Sequence, residues 1–230
     1  MLLLRPDSKN MLKRFPPCGA GRLTMTANTK NMWWIFAILS AASAIALAAC
    51  SQSGWTAEEK SLVRESGETM RVLTVNDFND SLVLRKKCSE IDVRDLKGED
   101  YLALARKMVA TVTSPEEDGV GIAGPQVGIS RRVVAVQRFD KDGEPFEVYP
   151  NIRITARRGE KQVGPEGCLS IPGKRGEVAR YRDIDIRYTS VKTLSDTTET
   201  ITGFTAVIFQ HECDHLDGIL YTDYLTEPGI

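Results

Sequence analysis

A five-residue stretch near the C-terminal end, His211-Glu212-Cys213-Asp214-His215, narrows the possible folds more than any other part of this chain. It holds the only two histidines among 230 residues. At positions i and i+4 two side chains share one face of a helix, so both imidazoles can hold a single metal ion. Glu212 is turned by about 100° from His211, which lets its carboxylate reach a water on that ion. The flanking residues predict the helix. It begins near Gly203 and stops at Gly218, a residue suited to the left-handed position after a helix end. Phe204, Val207 and Ile208 fall on the histidine face, which predicts that this face is buried.

Two imidazoles do not complete a catalytic metal site, which needs three protein donors and an open position. There is no third histidine, and beyond the motif the only glutamate is Glu227, three residues from the end of the chain. The third ligand is therefore a cysteine or an upstream carboxylate. Cys168, in the stretch Glu166-Gly167-Cys168-Leu169-Ser170, is the leading candidate. Cys88 sits among charged residues and reads as an incidental thiol. Cys213 lies on a different helix face from the histidines and reads as packing. Five cysteines in a chain of this length make no disulfide framework.

The rest of the chain divides into three parts. Residues 1–50 carry six basic residues against Asp7 alone, and 32–50 form an uncharged apolar run ending Leu47-Ala48-Ala49-Cys50. The run reads as a bacterial lipoprotein signal or membrane anchor, with Cys50 as the lipidated residue. Met25 and Met32 are alternative starts that would drop only the residues upstream of them, whereas a start at Met70 would remove the anchor and leave a cytoplasmic protein. Residues 51–69 read as a tether, and 70–230 as one catalytic domain. The charge balance of −1 gives no general basic field for nucleic acid. Within the domain, 99–112 predicts a helix with Leu102, Ala105, Met108, Val109 and Val112 on its buried face. A glycine-rich loop covers 119–128. Strands are predicted over 132–139, 147–156, 183–189 and 192–201, with turns at Asp142-Gly143 and Pro172-Gly173. Helices at both ends and strands between them indicate an α+β fold, mostly antiparallel sheets packed around a central helix that carries the HExxH motif.

Three segments, in this order, resemble the peptide deformylases: Gly119-Val120-Gly121-Ile122-Ala123-Gly124-Pro125-Gln126, then Glu166–Ser170, then Gln210–Gly218. The resemblance runs from about Met70 to Tyr224 and includes the stretch 84–91. One departure is Gly124, where the family usually has alanine, a change that leaves a looser loop as the expectation. The resemblance implies removal of the N-formyl group from the formyl-methionine that begins new polypeptides. It makes Cys168, His211 and His215 the ligands of one divalent ion, Fe2+ foremost, with Zn2+ or another divalent ion as substitute. It makes Glu212 the general base and acid. It assigns oxyanion stabilisation to the Gln126 side chain and the Leu169 backbone N–H, although the residues alone favour a loop hydrogen bond for Gln126. Val120, Phe204, Val207 and Ile208 would line the methionine pocket, and Gly121 would allow close approach of substrate. Glu166 would brace its loop, Asp214 and Asp217 could orient a histidine, and Arg175 could meet the peptide. A membrane-tethered metallopeptidase with another substrate is the competing expectation.

Overall fold

The computed structural model describes residues 54–225. The apolar run 32–50, Cys50, the possible starts at Met25 and Met32, and Glu227 lie outside the described residues. No described helix is long and apolar enough to cross a membrane. Four α-helices are described: α1 (Ala57–Arg64), α2 (Phe78–Leu84), α3 (Glu99–Val112) and α4 (Gly203–Leu216). Six strands form two antiparallel sheets. One has the order β1 (Gly121–Ala123), β2 (Val133–Gln137), β3 (Phe146–Pro150); the other has β4 (Arg153–Cys168), β5 (Ile171–Ser190), β6 (Ser195–Thr202). The expected α+β architecture is present, with α4 packed against both sheets.

Strand β2 explains the layering. Its side chains alternate between faces, and both faces are apolar. Val134 and Val136 join one buried cluster with Ile208, Phe209 and Leu216 of α4. Val133 and Ala135 join a second cluster with Leu104, Met108 and Val112 of α3. The small sheet therefore lies between two helices, and its central strand has no wet face. That is why it reads as an uninterrupted apolar run rather than as an alternation.

Several predicted boundaries move, each for a local reason. The helix 99–112 forms as expected, but its buried stripe is Tyr101, Leu104, Met108, Thr111 and Val112, while Leu102 is exposed. The larger Tyr101–Leu104–Met108 ridge takes the core side. The single strand expected over 147–156 is two strands in different sheets. They divide at Asn151, which has φ +57° and spans the break with its side-chain amide, bonding Ile91 N–H and C=O at 2.7 and 2.9 Å. The glycine-rich loop is partly regular: β1 is followed by a 3-10 turn over Gly124–Val127. The turn expected at Pro172-Gly173 lies inside β5, where Gly173 has φ +73° beside a register shift at Gly167/Cys168. The stretch read as a tether holds α1, capped by Thr56 and anchored through buried Val63.

At the end of α4, Gly218 has φ +75°, and a Cβ placed there would run into the Arg85 carbonyl oxygen. Gly143 shares the backbone geometry, with φ +76° and nothing within 4 Å. Gly218→Ala should therefore lower the melting temperature by more than Gly143→Ala does, with a cost above about 1 kcal/mol. Thermal denaturation of the two variants checks this.

Candidate metal centre

The site is assembled on α4. Ten of this helix's fourteen residues are buried, so its polar side chains need partners. Gln210 locks its rotation against β5: Nε2 donates to the Tyr181 carbonyl at 2.7 Å, and Oε1 accepts from the Tyr181 N–H at 3.2 Å. At the C-terminal end Arg132, itself buried, donates to the Ile152 carbonyl at 3.1 Å and to Asp217 at 2.8 Å. With the helix so fixed, His211 and His215 face the start of the β4–β5 hairpin, where Cys168 ends β4.

Cys168, His211 and His215 bring their donor atoms within 4.8 Å of one another. The Cys168 sulfur lies 3.2 Å from His215 Nε2. His211 turns Nδ1 to Glu166 Oε2 at 2.9 Å, which leaves Nε2 for a metal. Glu166 is held in turn by Arg180, whose Nε donates to Oε1 at 2.7 Å and whose Nη1 reaches Asp214 at 2.5 Å. A carboxylate behind a ligand histidine fixes the ring and its tautomer. One thiolate and two imidazoles suit zinc or ferrous iron.

Two carboxyls close together are driven in opposite directions. Burial opposes ionisation of Glu166, but hydrogen bonds from His211 and Arg180 outweigh it and hold the group at about 2. Burial pushes Glu212 up to about 7, with His211 pulling weakly the other way. Its Oε2 is buried without a protein partner among the described residues, as is His215 Nδ1. Burial, with His211 beside it, holds His215 well below the usual histidine range, so its ring is neutral and its lone pair free.

The motif-one loop packs over this helix. Gly121 is where it comes closest: a Cβ there would lie 2.5 Å from Glu212 Oε1 and 2.8 Å from Ile208 Cγ2. Gln126 is buried and polarised by its contacts. Its Oε1 accepts from the Ala123 N–H at 2.8 Å, so Nε2 points toward Ser170 Oγ at 3.2 Å and Cys168 Sγ at 3.6 Å. A cleft of about 470 Å³ opens over these groups. Val120, Gly121, Val207 and Ile208 line it beside His211 and Glu212, and Leu169 lines its other wall. Phe204 also lines it, but is 49 % exposed at the mouth rather than buried with the rest of its helix face.

Arg175 lies on the cleft wall as well. Cys88 and Cys213 are buried in an apolar cluster, each thiol pushed up to about 12 by burial, and neither joins the donor set. Asp214 and Asp217 pair with Arg180 and Arg132, not with a ligand histidine. Two residues escaped the sequence reading. Ser170 receives the Gln126 amide, and Arg180 joins Glu166 to Asp214. The signal for Arg180 was faint: it is one of four arginines along β5.

Comparison with known proteins agrees with this construction. The sequence profile of the family described as polypeptide deformylase matches residues 70–229. A peptide deformylase of Finegoldia magna is 38 % identical over 143 residues, covering 61 % of this chain and 82 % of the relative. Peptide deformylase 1 of Clostridium perfringens is 39 % identical over 147 residues, covering 64 % and 94 %. Among solved structures, the Met-Ala-Ser-bound class I type b peptide deformylase of Acinetobacter baumannii superposes with a TM-score of 0.60 at 32 % identity, over 68 % of this chain and 98 % of that one. The peptide deformylase of Thermotoga maritima gives a TM-score of 0.60 at 31 % identity, over 69 % and 99 %. A half-buried thiol and two imidazoles around one point, met by three motifs in the right order, thus accompany a match across most of the chain: this protein belongs to the peptide deformylase family and is a hydrolase of that kind.

Proposed function

We propose that the chain hydrolyses the formamide bond at the N-terminus of formyl-methionyl peptides, with Cys168, His211 and His215 holding one divalent ion, Fe2+ in the native state and Zn2+ as a substitute. The observation that carries this is the convergence of three donors on a cleft that also presents Glu212 and Gln126. An ion held there would supply Lewis acidity and would lower the pKa of a water. Glu212 is placed to take a proton from the water that attacks the formyl carbon. Its elevated affinity for protons suits it to hold the proton and then deliver it to the departing amine. Negative charge that develops on the formyl oxygen is met by the Gln126 Nε2–H and the Leu169 backbone N–H. The C–N bond breaks to give formate and a free N-terminal amine.

The peptide fits as an added strand beside β1, the edge strand of its sheet, where Gly121 lies against Glu212. Val120, Val207 and Ile208 supply an apolar wall for the methionine side chain, and Phe204 closes the mouth. Met-Ala-Ser occupies the Acinetobacter baumannii relative, which supports a short methionyl peptide as ligand here.

The deciding assay is turnover of formyl-Met-Ala-Ser against its acetylated counterpart by the full chain, reduced, anaerobic and iron-loaded. Formyl-selective release of formate is expected; cleavage of internal peptide bonds without deformylation would overturn the reading. Metal analysis of anaerobically purified protein should return iron. Zinc in its place, with full turnover, would reverse the assignment of the ion. Glu212→Gln should retain metal and lose at least about 10²-fold in kcat, whereas Cys168→Ala should lose the metal itself. Gly121→Ala should leave metal content intact and reduce kcat by on the order of 10²-fold, because the new methyl displaces the Glu212 carboxylate. Steady-state kinetics with metal analysis separates these cases.

Glu166 makes a prediction about acid. Its folded pKa lies below its unfolded value of 4.5. Its contribution to stability is thus present above about pH 4.5 and is lost as pH falls toward about 2. In chelated protein, the stability advantage over Glu166→Gln should shrink across that interval, as read by denaturant melts. At neutral pH the same variant should bind metal about 10- to 100-fold more weakly.

A further inference from the structure

Helix α1 lies ahead of the segment that matches the family, which begins at residue 70. It is nevertheless built into the catalytic fold. Glu59 is buried and forms a two-pronged pair with buried Arg131: Nε to Oε1 and Nη2 to Oε2, each 2.8 Å. The same guanidinium donates to the Gly54 carbonyl at 2.6 Å and lies 6.0 Å from the Trp55 ring centre. Val63 is in one buried cluster with Ile122, Val127 and Ile129. Leu62 closes over Gly128: a Cβ there would lie 3.2 Å from Leu62 Cδ1.

Apart from Ile122 in β1, these contacts fall on one short loop. Residues 124–131 run from the turn that carries Gln126 to Arg131, and they are tightly folded. Ile129 N–H bonds the Gly124 carbonyl at 2.9 Å, and Arg131 N–H bonds the Ile129 carbonyl at 2.7 Å. A Cβ on Gly124 would lie 2.7 Å from the carbonyl oxygens of both Ile129 and Arg131. A shift of the Arg131 backbone cannot be absorbed inside so crowded a loop and passes to the Gln126 turn.

We propose that α1 acts as a brace for the Gln126 loop, with Glu59 a positioning residue that works through Arg131. This rests on the role given to Gln126 above. Without the Glu59 charge, a buried guanidinium loses its only carboxylate partner among the described residues and is drawn toward water. The loop moves with it, and the Gln126 amide leaves the place where the oxyanion forms. The loss should appear in kcat, because that hydrogen bond strengthens as the reaction proceeds, while metal binding is untouched.

The test uses the full chain, metal-loaded, assayed on formyl-Met-Ala-Ser well below each variant's melting temperature. Glu59→Gln should lower kcat about tenfold or more, with KM and metal content near wild type. Combining it with Arg131→Gln should recover part of the loss, since the stranded charge is gone. A Glu59→Gln protein that melts lower but keeps the wild-type kcat would overturn the proposal and leave α1 a purely structural element. If Glu59→Gln does not fold, Leu62→Ala keeps the ion pair and loosens only the contact over Gly128; it should lower kcat several-fold, and an unchanged kcat overturns the brace. Gln126→Ala is the reference. If it leaves kcat intact, the oxyanion reading falls and takes the brace with it. If it lowers kcat while Glu59→Gln and Leu62→Ala do not, the brace alone is wrong.

Discussion

Burial of α4 governs the rest of the molecule. A helix enclosed on nearly every side cannot leave polar side chains to the solvent, so the surrounding elements have to answer each one. Strand β5 meets Gln210 with its own backbone, β4 and β5 together supply Glu166 and Arg180, and Arg132, just ahead of β2, reaches the far end. What stays unanswered by protein among the described residues is one oxygen of Glu212 and Nδ1 of His215. The site is in this sense the remainder of a packing problem solved everywhere else along the helix.

The same enclosure divides labour between two carboxyls. Glu166 is surrounded by donors and stays an anion, which makes it a fixed support for His211. Glu212 has burial without matching donors and keeps an affinity for protons near neutrality. Chemically identical groups thereby differ, one a fixed charge and the other able to hold a proton near neutrality, and the difference comes from their neighbours alone.

Much of the centre was legible in the residues because metal ligation leaves a spacing. Two lone histidines four apart, a helix punctuated by Gly203 and Gly218, and one cysteine in a short glycine-containing stretch were enough to expect the three donors now found together. Most of β4, and β5 ahead of residue 183, were hard to see for the opposite reason. Residues 155–163 are largely exposed and rich in Arg, Glu and Lys, so no apolar alternation marks them, and cross-strand pairing alone holds them in register. Helix α1 was lost because it is eight residues long, too short for a periodic signal, and because its buried glutamate reads as solvated until its partner, 72 residues away, is known. Arg180 was missed on the same grounds: its meaning lies in two carboxylates distant in sequence.

Gly124 was expected to loosen its loop and does the reverse. The room an alanine methyl would take is filled by two carbonyl oxygens. An alanine at this position would therefore force the backbone around Ile129 and Arg131 outward. Positions 124 and 131 are thus coupled through the backbone itself, so the size of one residue limits how closely the other end of the loop can approach.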